Sequence, residues 1–202
     1  MSTPEFWISI GSTYSYLTVS RLPEIERSTG FEFEWRPFSV REIMVEMDNI
    51  PFAKKPVKAA YMWRDIERRA KMYGLKPLLP APYPLQEFDL ANRIAVVARE
   101  EGWCRDYIAE TYRRWFEEGD AAGGKTNLSA TLEHLGKDLT RTLEKANSTQ
   151  TEAAYKAATQ AARDRGIFGA PSFCIDTELF WGDDRLEDAL AWLDGSAVIP
   201  SR

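Results

Sequence analysis

Between Arg41 and about Arg165 the sequence offers no convincing strand, whereas the segments on either side read as β-forming. That gap constrains the fold more than any other feature. On the N-terminal side, residues Glu5 to Ile10 are β-branched and aromatic-rich and end at Gly11, which predicts a short, largely buried strand. Ser12-Thr13-Tyr14-Ser15 then offers helix N-cap oxygens, and Tyr14, Leu17, Leu22 and Ile25 recur at helical spacing until Gly30. Phe31, Phe33 and Trp35 alternate with Glu32, Glu34 and Arg36, a strand pattern that Pro37 either ends or confines to a sheet edge. A helix between two strands of one sheet makes those strands parallel.

The C-terminal side mirrors this. Gly169-Ala170-Pro171 breaks the chain, Ser172 to Asp176 reads as a strand, Thr177-Glu178 as a turn and Leu179 to Trp181 as a second strand. Asp184 with Glu187 three residues on has capping-box spacing, and Leu186, Ala189, Leu190 and Leu193 give the following helix an apolar stripe. In the middle, helices are expected over Val57–Tyr73, Asp89–Glu101, Arg105–Glu118, Ser129–Ala146 and Thr151–Arg165. Pro77, Pro80, Pro82 and Pro84 require an extended loop, and Gly119 to Lys125 is a Gly/Ala loop. Neither flank is large enough to fold alone. The economical solution is one α/β domain, residues 1–40 with 166–202, interrupted by a helical insertion at 41–165.

Composition narrows the chemistry. The chain has 202 residues and 44% hydrophobic content, enough for a core without staples, and a net charge of −5 that argues against a nucleic-acid binder. No apolar run approaches membrane-spanning length, Met1 to Ile10 lacks a signal-peptide pattern, and two cysteines 70 positions apart point to a reducing, cytoplasmic compartment. Cys104 and Cys174 form no C-x-x-C pair and read as buried fillers. With His134 the only histidine, a multi-His metal site is excluded.

Three segments carry a resemblance: Ile10-Gly11-Ser12-Thr13-Tyr14-Ser15-Tyr16-Leu17, Trp35-Arg36-Pro37-Phe38, and Gly166 to Phe173 followed by Phe180-Trp181-Gly182-Asp183-Asp184-Arg185-Leu186. The layout βαβ, helical insertion, ββα resembles a thioredoxin-like fold of the DsbA-like branch. The motifs together resemble the 2-hydroxychromene-2-carboxylate isomerases and the related kappa-class glutathione transferases, over nearly the whole chain. Ser12 stands where a redox relative has its cysteine. That family usually places proline directly after the serine, where this chain has Thr13.

The resemblance implies glutathione as cofactor, a small aromatic substrate and a homodimer. It implies that Ser12 holds the glutathione thiolate, and that Ala170 and a cis Pro171 pair with its cysteinyl backbone as a short added strand. Asp184, with Asp183 second, would hold the γ-glutamyl ammonium. Asn49 and Lys58 match positions near the cofactor, and Asp65 matches an acid that reaches across a dimer interface. Each residue also has an ordinary reading: a helix cap for Ser12 and an aspartate, a trans strand-opening proline for Pro171, solvated polar groups for Asn49, Lys58 and Asp65.

The physical case for Ser12 rests on its position. A helix N-terminus offers free N–H groups and a positive dipole end, and a hydroxyl adds one more donor. Lowering a thiol pKa by about two units takes roughly 2.7 kcal/mol, within reach of a charge-assisted hydrogen bond plus a helix end. Thiolate then becomes the majority form at neutral pH.

The activity implied is cis–trans isomerisation between 2-hydroxychromene-2-carboxylate and an aromatic pyruvate. A kappa-type glutathione transferase or peroxidase and a catalytically silent thioredoxin-like binding module are the alternatives. A thiol–disulfide oxidoreductase is weakest, since it needs sulfur in place of Ser12. Among the insertion aromatics Tyr61, Trp63, Tyr107, Tyr112 and Trp115, most are expected in the core, with one or two lining a substrate pocket.

Overall fold

The computed structural model describes residues 3–49, 52 and 55–196. Strands β1 (Glu5–Ile8), β2 (Glu34–Pro37), β3 (Ser172–Ile175) and β4 (Glu178–Trp181) form one sheet in the order β2-β1-β3-β4. The β1–β2 pair is parallel around helix α1 (Ser15–Thr29), while β3 runs antiparallel to both β1 and β4. Pro37 pairs in register with Ile8 on the edge strand β2, where its missing N–H breaks no ladder.

β1 and β2 are shorter than their sequence patterns for identifiable reasons. The backbone of Ser9 and Ile10 is engaged by side chains from the helical region, and the Phe33 amide donates to Glu26 at 2.8 Å instead of joining a ladder.

Among the described residues every element between β2 and β3 is helical: α2 (Val40–Glu46), α3 (Pro56–Met72), α4 (Phe88–Glu100), α5 (Cys104–Arg113), α6 (Lys125–His134), α7 (Leu139–Ala146) and α8 (Thr149–Asp164). Two details depart from the sequence expectation. The single helix expected over Ser129–Ala146 is two, because Gly136 takes a left-handed φ of 63° and Asp138 caps a new start by accepting from the Arg141 amide at 2.7 Å. Helix α2 carries no strong periodicity and is opened by Ser39, whose Oγ accepts from the Glu42 amide.

α5 continues into a π-helical turn at Arg114–Glu118. The proline-rich loop straps onto that turn: the Leu78 amide donates to the Phe116 carbonyl at 2.6 Å and Trp115 Nε1 to the Pro82 carbonyl at 2.7 Å.

The expected caps are absent at two places that matter. Helix α1 has Tyr14 at its N-cap and no side-chain cap, so Ser12 is not spent on the helix. At the other end, Asp183–Arg185 form one 3-10 turn before α9 (Leu186–Leu193), and neither aspartate caps it: Asp183 is drawn into buried ion pairs and Asp184 pairs with Arg185.

One continuous hydrophobic cluster runs from Phe6, Trp7 and Phe173 of the sheet to Tyr107, Tyr112 and Trp115 of the helices. α4 and α8 pack on β2, and α9 packs on β3 and β4. The helical region therefore shares the sheet's core and can position residues at the sheet's end. Among the described residues no helix is long and apolar enough to cross a membrane.

Candidate active site

The loop between β1 and α1 is fixed from below by two buried side chains of the helical region. Asn92 Nδ2 donates to the Ile10 carbonyl and Asn92 Oδ1 accepts from the Ile10 amide, both at 2.8 Å. The Tyr112 hydroxyl reaches the Ser9 and Ser12 carbonyls at 3.1 and 3.0 Å. Gly11 has φ of 122°, and a Cβ there would strike the Phe88 ring, so only glycine serves. The Ser12 amide closes a turn onto the Ser9 carbonyl at 3.0 Å, and Thr13 Oγ1 contacts Met62 Sδ at 2.9 Å. Among the described residues the Thr13 and Tyr14 amides donate to no acceptor, which leaves two N–H groups free directly after Ser12.

Ser12 Oγ donates to the Ala170 carbonyl at 2.6 Å, joining the α1 corner to the loop before β3. The Ala170–Pro171 bond is cis, and the Pro171 carbonyl accepts from the Gly182 amide at 2.9 Å. That bond ties the loop to the aspartate turn. Among the described residues the Ala170 amide has no acceptor and remains available as a donor.

Two depressions meet at this corner. The first is a mostly apolar cavity of 380 Å³, walled by Tyr14, Phe52, Tyr83, Phe88, Phe168 and Trp181, with Ser12 and Ala170 at one side and Asn49, Lys55 and Lys58 also on its lining. The second is a more polar groove of 490 Å³ that runs over Asp65, Arg69, Ala170 and Pro171 to Gly182–Arg185. Tyr14, Ala170 and Trp181 line both. The eight residues singled out from the sequence thus fall on one bipartite recess: Ser12, Asn49, Lys58 and Ala170 on the cavity, Asp65, Ala170, Pro171, Asp183 and Asp184 on the groove.

The two aspartates differ sharply. Asp183 is 1% exposed and its carboxylate accepts from Arg21 at 3.0 Å, Arg69 at 2.8 Å and Thr18 at 3.0 Å. Those partners come from α1 and α3, so Asp183 anchors the turn between them. The side chain of Asp184 is exposed and, among the described residues, pairs only with Arg185. Asp184 is therefore the carboxylate with capacity for an ammonium.

Tyr14 donates to Asp65 Oδ2 at 3.0 Å, and Arg68 donates to Asp65 Oδ1 at 3.0 Å. Burial, then the Asp65 charge and hydrogen bond, holds the Tyr14 phenol well above its ordinary range. It stays a neutral donor. The chain's two thiols do not line this recess, and burial disfavours their thiolates: it pushes Cys104 up to about 12 and Cys174 up to about 11.

Sequence reading missed most of the cavity's wall. Tyr107, Tyr112 and Trp115 are wholly buried in the core, Trp63 packs against Tyr83 outside the cavity lining, and only Tyr61 reaches the groove. Of the aromatics that do form the walls, Tyr14, Phe168 and Trp181 lie inside the quoted motifs and Tyr83 inside the proline run, while Phe52 and Phe88 lie in neither. A Cβ at Gly169 would run into the Trp181 indole, so that glycine lets the indole stand against the loop.

The profile described as the DSBA-like thioredoxin domain matches residues 4–193. A 2-hydroxychromene-2-carboxylate isomerase from Sphingobium xenophagum is 29% identical over 187 residues, 92% of this chain and 94% of that one. A protein named glutathione S-transferase kappa 1 from Caenorhabditis elegans is 24% identical, covering 98% of this chain and 93% of its own. The solved structure of a 2-hydroxychromene-2-carboxylate isomerase superposes with a TM-score of 0.83 at 24% identity, covering 96% of each chain.

Proposed function

The chain belongs to the DSBA-like thioredoxin domain family, and on that premise we propose that it is a glutathione-dependent cis–trans isomerase interconverting 2-hydroxychromene-2-carboxylate with an aromatic pyruvate. The observation that carries this reading is the place of Ser12 Oγ, hydrogen-bonded to Ala170 where a polar groove meets an apolar cavity. The similarity to isomerases over nearly the full chain supports it.

The groove fits a γ-glutamyl tripeptide by its donors and acceptors. The Ala170 N–H has no acceptor among the described residues, and its C=O accepts one bond from Ser12 Oγ and keeps a second lone pair, so both can pair with a cysteinyl backbone; Asp184 suits the ammonium, and the polar turn at Gly182–Arg185 suits the α-carboxylate. Lys58 and Asn49, at the neighbouring cavity, suit the glycyl carboxylate. Asp65 works here through Tyr14, and in a homodimer of cytoplasmic protein it would also face the partner's groove. Glutathione bound here would supply a thiolate nucleophile, a group whose reversible addition to a conjugated carbon allows cis–trans interconversion with no net redox change.

This chain's residues do the rest. Ser12 can turn its single hydroxyl proton from the Ala170 carbonyl to a bound thiolate, and the free Thr13 and Tyr14 amides at the start of α1 add donors and the positive end of its dipole. The aromatic walls exclude water and take a planar ring. Neither cysteine lines the recess at Ser12, which favours isomerisation over disulfide exchange.

The test is spectrophotometric conversion of 2-hydroxychromene-2-carboxylate with and without glutathione. Conversion that requires the thiol and collapses in Ser12→Ala supports the reading; conversion that proceeds equally without thiol removes it. A transferase of the kappa type is the second reading, favoured by the similarity to the nematode protein. Stoichiometric loss of thiol with a chloro-nitrobenzene in place of isomerisation would select it.

A further inference from the structure

Arg41, the second residue of α2, stands on the wall of the apolar cavity. Its Nη2 donates to the Leu85 carbonyl at 3.0 Å, and its guanidinium carbon lies 4.0 Å from the centre of the Phe88 ring. Leu85 and Phe88 are themselves cavity walls, so the cation is held at the cavity instead of trailing in solvent. Among the described residues no carboxylate pairs with it. The acids beside it on α2, Glu42 and Glu46, both pair with Arg163.

A half-buried guanidinium, stacked on an aromatic ring with one N–H fixed and others free, is an anion receptor built into an otherwise apolar space. Lys55 and Lys58 share the cavity but are exposed, on stems that must be ordered before they can bind. We propose that Arg41 binds the carboxylate of the aromatic substrate, selecting arenes that carry a conjugated carboxylate over neutral arenes of the same shape. This deepens the isomerase reading and rests on it for the identity of the substrate, but the contact itself is an equilibrium property, readable without turnover. The more exposed wall aromatics, Phe168 and Trp181, take the ring while Phe88 backs Arg41, whose planar fork sets which end points inward.

The test uses chromone-2-carboxylate, a planar compound that cannot isomerise, and its neutral carboxamide, with binding followed by tryptophan fluorescence through Trp181. The wild type is expected to prefer the carboxylate. Arg41→Met, which keeps the aliphatic stem, is expected to lose roughly tenfold to hundredfold in affinity for the carboxylate, the range of a charge-assisted hydrogen bond. Its affinity for the carboxamide is expected to change little, and Arg41→Lys should recover part of the loss. Failure of the wild type to bind the carboxylate overturns the proposal. So does an equal affinity for it in Arg41→Met, or a loss that carboxylate and carboxamide share. Discrimination that depends on Arg41 in a protein showing no thiol-dependent conversion would leave this contact standing and count against the isomerase reading.

Discussion

The amide of Asn92 and the backbone of Ile10 form a closed pair of hydrogen bonds, donor to carbonyl and acceptor to N–H, both at 2.8 Å in a fully buried setting. The same Nδ2 donates to the Phe88 carbonyl one turn earlier on α4. The helical region therefore holds the last residue before Gly11 and Ser12 as firmly as a sheet neighbour would. Asn92→Leu preserves volume and strands both Ile10 groups, each costing about 1–3 kcal/mol. Urea unfolding should show a lower midpoint, and activity at full saturation should fall beyond the loss of folded protein, because the Ser12 corner is no longer fixed.

Asp183 makes a second such tie, between the aspartate turn, α1 and α3. In Asp183→Asn the side chain keeps its contact with Thr18 and loses the charge that Arg21 and Arg69 share. The expected destabilisation is about 3 kcal/mol, the low end for breaking a buried pair, since both guanidinium groups keep some solvent access. Glutathione affinity, measured by calorimetry in the folded variant, should weaken while the turnover number changes much less.

The pH profile follows from Tyr14. Its phenol is raised by burial and by Asp65, so it stays protonated beyond the ordinary tyrosine range and contributes no falling alkaline limb. Activity should rise with pH as bound thiol ionises and then stay level, in the wild type and in Tyr14→Phe alike. A fall near the ordinary phenol pKa, seen in the wild type and abolished in Tyr14→Phe, would show that the phenol titrates within the working range.

Cys104 and Cys174 give a prediction of opposite use. Both thiols are raised by burial, to about 12 and about 11, above the free value. A raised pKa in the folded state contributes stability present below the unfolded thiol pKa and lost as pH climbs through the folded one. Native protein should therefore be silent towards a thiol-specific disulfide reagent at neutral pH and titrate two thiols only after unfolding. Its melting temperature should decline from about pH 9 upward.

The sheet was legible because its signals are local. Phe33 and Trp35 alternate with acidic and basic neighbours, and Gly169-Ala170-Pro171 stops the chain before β3. The residues of the recess were legible as motif positions, but their division of labour was not. Asp183 and Asp184 are adjacent and chemically identical in sequence, and only the approach of Arg21 and Arg69 from distant helices separates a buried anchor from an exposed acceptor. The capping expectation failed at both positions: Asp183 is drawn into long-range ion pairs, and Asp184 turns to its neighbour Arg185. Asn92 and Arg41 carry no sequence signal at all. Asn92 looks like an ordinary polar residue of an amphipathic helix and Arg41 lies in a segment without periodicity, until the fold brings them to Ile10 and to Phe88.

The most direct measurement is the ultraviolet titration of the glutathione thiol when bound to the wild type and to Ser12→Ala. The account predicts a bound thiol roughly two units below its free value in the wild type, with most of that depression lost in the variant. A thiol that titrates at its free value on the wild type, or at the same lowered value on both proteins, would contradict it.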